Sequence, residues 1–94
     1  MAGHRREIRA RVYGNVQGVG FRIWVRGEAT SLGLAGWVRN EADGSVTTQI
    51  AGSDEAVSAM IGRLWKGPSA ASVSKVDVEE LAAGNASVGF RIVV

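Results

Sequence analysis

The apolar residues near the start of this chain change their spacing at a turn rich in glycine, and that change fixes what the segment can fold into. Ile8, Ala10 and Val12 alternate with Arg9, Arg11 and Tyr13, the period of a half-buried strand. From Phe21 onward, Phe21, Trp24, Val25, Ala29 and Leu32 recur at helical spacings, with Arg22, Arg26 and Glu28 off the stripe and Gly33 placed as a C-cap. The shared stripe assigns Phe21 and Trp24 to core packing rather than to stacking on a base. Between strand and helix runs Gly14-Asn15-Val16-Gln17-Gly18-Val19-Gly20-Phe21-Arg22, with three glycines, no acid and one arginine. A glycine-spaced turn of this kind can direct successive N–H groups inward as a nest. The helix behind it adds its own unpaired N–H groups and its dipole. The result suits an anion of phosphate size, with Gly18 the place for a close backbone approach. Arg22, in the first turn of the helix, can complete the cradle with two parallel hydrogen bonds.

The remaining elements follow in the same way. Ala35 to Glu41 and Val46 to Ala51 read as strands joined by the turn Ala42-Asp43-Gly44-Ser45, where Gly44 suits a positive φ. Ser53 is the predicted N-cap of a second helix, with Asp54 and Glu55 in its first turn. Val57, Met60, Ile61 and Leu64 form its stripe, Arg63 and Lys66 its last turn, and Gly67-Pro68 its stop. Ser69 to Ser72 reads as a linker, Val73 to Glu80 as a strand, and Ala82-Ala83-Gly84-Asn85 as a loop. Val88, Phe90 and Ile92 mark a last strand. This order predicts an α+β, ferredoxin-like βαββαβ sandwich: two helices on one face of a mostly antiparallel four- to five-stranded sheet. Such a topology serves many functions, so function has to be read from the site. For the site proposed below, the middle hairpin must carry Asn40 back to the glycine loop.

Ninety-four residues predict a single domain spanning 1–94, with residues 1–6 expected to be disordered. A chain this short favours a shallow site over a deep one. The net charge of +2 and pI near 9.7 mildly favour anionic ligands and do not by themselves imply nucleic acid. There is no cysteine, and the one histidine, His4, lies in the terminal stretch. No transition-metal site is therefore expected. No signal-peptide core and no membrane-length apolar run is visible, so a cytoplasmic monomer is expected.

The glycine loop contains no Ser, Cys, Thr, Asp, Glu, Lys or His. Covalent catalysis and ordinary side-chain acid–base catalysis have no actor there. An anion cradle, a guanidinium and an amide remain. Phosphoryl transfer spreads charge over the equatorial oxygens, which fixed N–H dipoles and an arginine can stabilise. The set is sufficient where the leaving group needs no proton, as with the carboxylate of an acyl phosphate. An amide oxygen can accept one hydrogen of the attacking water and orient it.

Two segments also carry a family resemblance. Val12 to Arg22, Val-Tyr-Gly-Asn-Val-Gln-Gly-Val-Gly-Phe-Arg, resembles the first signature of the acylphosphatase family. Gly36-Trp37-Val38-Arg39-Asn40, three residues, Gly44-Ser45-Val46, five residues and Gly52 resemble the second. The resemblance implies metal- and cofactor-independent hydrolysis of small acyl phosphates. It implies phosphate binding by Asn15, Val16, Gln17, Gly18, Val19 and Gly20 with Arg22, and water positioned by Asn40. Asn15, Gly20 and Trp24 fall where family members vary, which bears on substrate preference.

The principal alternative is an RNA-binding module of the same topology without enzymatic activity. Its aromatic motifs belong on the first and third strands, and Val46 to Ala51 contains no aromatic residue. The Gly-Lys-Ser/Thr of a nucleotide-binding P-loop is absent. An acylphosphatase-like domain serving carbamoyl transfer at the start of a large hydrogenase-maturation protein would be followed by zinc-binding cysteines. A free-standing enzyme acting on a small molecule, with no nucleic-acid or membrane partner, is the reading carried forward.

Overall fold

The structure, a computed structural model, describes residues 4–82, 84 and 88–94. The elements are β1 (Arg5–Asn15), α1 (Phe21–Ser31), β2 (Ala35–Asn40), β3 (Val46–Ser53), α2 (Asp54–Lys66), β4 (Ser72–Leu81) and β5 (Phe90–Ile92). The five strands form one sheet in the order β4-β1-β3-β2-β5. All pairings are antiparallel except β2 with β5. The predicted ferredoxin-like α+β fold is therefore present, in its five-stranded form.

Alternation in β1 decides which face is covered. Ile8, Ala10 and Val12 are fully buried and form one core with Val38, Val46 and Ile50 from the sheet. Phe21, Val25 and Ala29 of α1 and Val57, Met60 and Leu64 of α2 complete it. Phe21 is sealed in this core and Trp24 packs against it, their rings 5.5 Å apart, as the shared stripe predicts. Each wholly buried aliphatic or aromatic side chain contributes about 1.5–3 kcal/mol, so these two faces dominate the stability of the fold.

The helix ends match their sequence signals. The Ser53 hydroxyl accepts from the Ala56 N–H at 3.1 Å, and Asp54 and Glu55 occupy the first turn of α2. Arg63 and Lys66 occupy its last turn, and Gly67 caps it at a φ of 68°. The β2–β3 turn is closed by Glu41 N–H on the Ser45 carbonyl at 2.8 Å, with Gly44 at a φ of 94°.

Several boundaries differ from the sequence reading. Arg5 and Arg6, within the stretch expected to be disordered, lie in β1 and pair with Ser53 and Gly52 of β3. The Arg6 guanidinium also reaches Glu80, Asp54 and Ser58. Residues 1–3 lie outside the described residues. β3 runs on to Ser53, and β4 begins at Ser72, inside the expected linker. The last strand is only Phe90–Ile92, with Val88 exposed. Positions 83 and 85 of the predicted 82–85 loop lie outside the described residues.

Candidate active site

The glycines of the two sequence signatures fall into two groups. Some belong to the fold. Gly14 sits where the β1–β4 register shifts, at a φ of 128°, and a Cβ there would lie 2.1 Å from the Ser72 carbonyl oxygen. A Cβ on Gly36 would lie 1.8 Å from the Gln49 carbonyl oxygen, and one on Gly52 would lie 2.6 Å from Leu34 Cδ2. These three let backbone or side chain approach closely, and no ligand is needed to explain them.

Gly18 and Gly20 are different. Both have a φ of 76°, and a Cβ on either would meet open space. Here conformation, not crowding, requires glycine. Among the described residues no non-glycine residue has a positive φ, so the sign of φ alternates through Gln17, Gly18, Val19 and Gly20. That alternation is the backbone pattern of an anion nest. Gly20 is the N-cap of α1, yet no side chain caps the helix and its first turn holds no acid. The N–H groups at this helix end are left to an outside acceptor.

Two anchors hold the loop. Val16 is buried in the core beneath it. The Gln17 side chain crosses to the hairpin, its Nε2 donating to the Glu41 and Ser45 carbonyls at 2.8 Å each. The loop is thereby joined to the segment that follows Asn40.

Asn40 closes β2 opposite Val46, which in turn sits opposite Val12. Two residues from buried Val38, it shares the helix-covered face. This parity, together with a distance of about 10 Å across two strand spacings, brings the amide to the loop at the end of β1. Its Oδ1 is buried without a hydrogen-bond partner among the described residues. Arg22 has no ion-pair partner among them either, a property it shares with Arg5, Arg26 and Arg91, whereas Arg6, Arg9, Arg11, Arg39 and Arg63 each meet an acid; what sets Arg22 apart is its place on the cavity wall with Asn40.

Val16, Gly18, Gly20, Phe21, Arg22, Ile23, Asn40 and Ile92 line a cavity of about 220 Å³. The structure thus brings together five of the predicted residues: Val16, Gly18, Gly20, Arg22 and Asn40. Asn15, Gln17 and Val19 are not in that wall. Asn15 pairs with Ser72 at the end of β1, and Val19 packs against the core. Ile23 and Ile92 were not anticipated. Nothing local marks Ile92, which reaches the site only because β5 pairs with β2. Among the described residues no cluster of three or more His, Cys, Asp or Glu side chains could hold a metal ion.

The hairpin beside the site is electrostatically fixed. The Asp43 carboxylate accepts from the Ser45 hydroxyl and N–H and from Arg11, which hold its pKa down at about 2. Thr47 and Arg39 lower that of Glu41. A larger hollow of about 610 Å³ lies on the helix-free face of the sheet, with Arg9, Arg11 and Arg39 among its walls. Each of these arginines meets an acid, Glu79, Asp43 and Glu41 respectively. Its charges balance, whereas the smaller cavity pairs an uncompensated guanidinium with open N–H groups.

Residues 8–92 match the sequence profile of a family described as acylphosphatase. An acylphosphatase of Mesorhizobium japonicum is 62% identical over 99% of both chains. Among solved structures, an acylphosphatase from Bacillus subtilis superposes with a TM-score of 0.91 at 35% identity, covering 95% of this chain and 99% of the other. One from Coxiella burnetii gives 0.88 at 39% identity, covering 94% and 92%.

Proposed function

The chain belongs to the acylphosphatase family and has its hydrolase activity, and from that premise we propose how its own residues carry out the reaction. The substrate is a small acyl phosphate. Its phosphoryl oxygens lie in the 15–20 loop against the open N–H groups, with the Arg22 fork on two of them. Asn40 Oδ1 accepts one hydrogen of a water and aims the oxygen lone pair at phosphorus. The water oxygen bonds to phosphorus as the bond from phosphorus to the acyl oxygen breaks. The electron pair leaves on the carboxylate, which needs no proton at neutral pH. The water's proton passes to a phosphoryl oxygen, giving carboxylate and inorganic phosphate. Developing charge on the equatorial oxygens meets dipoles that are already oriented, so little reorganisation accompanies the reaction.

One observation supports this reading: Asn40, whose amide oxygen is buried and unpaired among the described residues, and Arg22, without an acid partner among them, line the same small cavity. In a purely structural role each is unfavourable. An unsatisfied buried acceptor costs about 1–3 kcal/mol, and a cation at a helix N-terminus opposes the dipole by about 0.3–1 kcal/mol. A bound phosphoryl group with its water relieves both.

The test is release of phosphate from benzoyl phosphate by the purified protein and by Arg22→Ala. By analogy with arginine fingers, that substitution is expected to lower kcat/KM about a thousandfold while thermal unfolding stays near that of the parent. Full activity in folded Arg22→Ala would overturn the assignment. We also propose that the reaction runs in the cytoplasm, in a monomer that engages neither nucleic acid nor metal. Among the described residues no helix is long and apolar enough to cross a membrane.

A further inference from the structure

The cavity that holds the phosphoryl group is also the way out for the acyl group, and its rim is not uniformly polar. Val16 and Phe21 contribute to the wall but are only 1% exposed, so they are committed to the core. Ile23 is 63% exposed although it stands in the first turn of α1, one residue from Arg22. Ile92 of β5, half-buried, lines the same cavity. An aliphatic side chain left this open is not there for packing within the fold, because α1 buries Phe21, Val25 and Ala29 instead. A scattered surface isoleucine needs no explanation. One that walls a cavity together with a second isoleucine, an unpaired arginine and an unpaired amide calls for one.

We infer that Ile23, backed by Ile92, is the surface against which the acyl group of the substrate rests, and that it biases the enzyme toward acyl phosphates with an apolar, extended acyl group. The inference rests on the proposed phosphate site. With the phosphoryl group held by Gly18, Gly20 and Arg22, the acyl oxygen points out of the cradle, and Ile23, the residue after Arg22, stands on the wall of the same cavity. A methyl group there is too short to cover the isoleucine. An aromatic or longer aliphatic group covers it and removes apolar surface from water. The cavity, at about 220 Å³, is below the range of roughly 300–1,000 Å³ common for drug-sized ligands. That size limits the contact to one side of the acyl group and leaves the far side in solvent.

The experiment compares kcat/KM for benzoyl phosphate with kcat/KM for acetyl phosphate in the parent, Ile23→Ser and Ile23→Phe proteins. One methylene more or less in a hydrophobic pocket changes specificity by about 10–200-fold. For this one-sided wall Ile23→Ser is expected to lower the benzoyl-to-acetyl ratio about five- to tenfold, mainly through KM for benzoyl phosphate. Ile23→Phe is expected to hold the ratio at or above that of the parent. Because Ile23 is exposed, both proteins are expected to fold. A ratio that neither substitution moves overturns the inference and leaves the hydrolase assignment standing. Failure of the parent protein to hydrolyse either substrate overturns both together.

Discussion

In the proposed reaction Asn40 and Arg22 divide the work at the scale of single residues. Among the described residues the amide oxygen of Asn40 meets no donor, and the guanidinium of Arg22 meets no acid. If the amide only orients water, Asn40→Ala is expected to lower kcat far more than it weakens inhibition by phosphate; steady-state kinetics with phosphate as product inhibitor measures both. An unchanged kcat would remove Asn40 from the chemistry. Gly18 tests the cradle itself. Because a Cβ there has room but the φ of 76° is left-handed, Gly18→Ala costs about 1–2 kcal/mol through conformation alone. The two candidates were not equally legible in the sequence. Arg22 follows an acid-free glycine turn, whereas Asn40 taken alone reads as a strand-end or turn residue and is picked out only by the second family signature; its parity with buried Val38 becomes informative once the register of β2 is known. Ile23 could not be picked out, since its exposure depends on which helix face the sheet happens to cover.

Between elements, the contact that matters most is Gln17 on the hairpin carbonyls. It joins the loop after β1 to the turn after β2, and in the proposed reaction it sets the distance between phosphoryl group and water. A misplacement of about 1 Å can cost about a hundredfold in rate. Gln17→Ala is expected to lower kcat by at least about tenfold with phosphate inhibition largely kept, whereas a merely structural glutamine would lower thermal stability and leave kcat at room temperature intact. Gly36→Ala should behave differently. Its new methyl would overlap the Gln49 carbonyl, so β2 and β3 cannot keep their register, and loss of cooperative unfolding by circular dichroism is the expected result. The element types were legible because alternation and helical stripes are local. Their lengths were not. Arg5 and Arg6 are ordered by β3 and by acids at positions 54 and 80, and Ser72 is drawn into β4 by Asn15, contacts that no window of sequence contains.

The molecule as a whole has an acid limit set in part by its hairpin. Asp43 titrates lower in the folded protein than in the unfolded chain, where a carboxylate has a pKa of about 3.9. Its contribution to stability is therefore complete above that value and is lost as pH falls through about 2. Glu41 and Glu80 shift in the same direction. Chemical denaturation at a series of pH values is expected to show stability falling across that window, with a shallower fall for Asp43→Asn. Chelation makes a second test at this scale: EDTA is expected to leave hydrolysis of benzoyl phosphate unchanged, and its abolition would contradict the metal-free scheme.

The strand order has one last consequence. β3 lies between β1 and β2, so the strand that spaces the two halves of the active site is made after both of them. A nascent chain halted before residue 46 already contains the arginine and the asparagine but lacks the strand that spaces them. In the proposed reaction the two groups can share one water only after the ribosome has delivered β3 and it has paired between its predecessors.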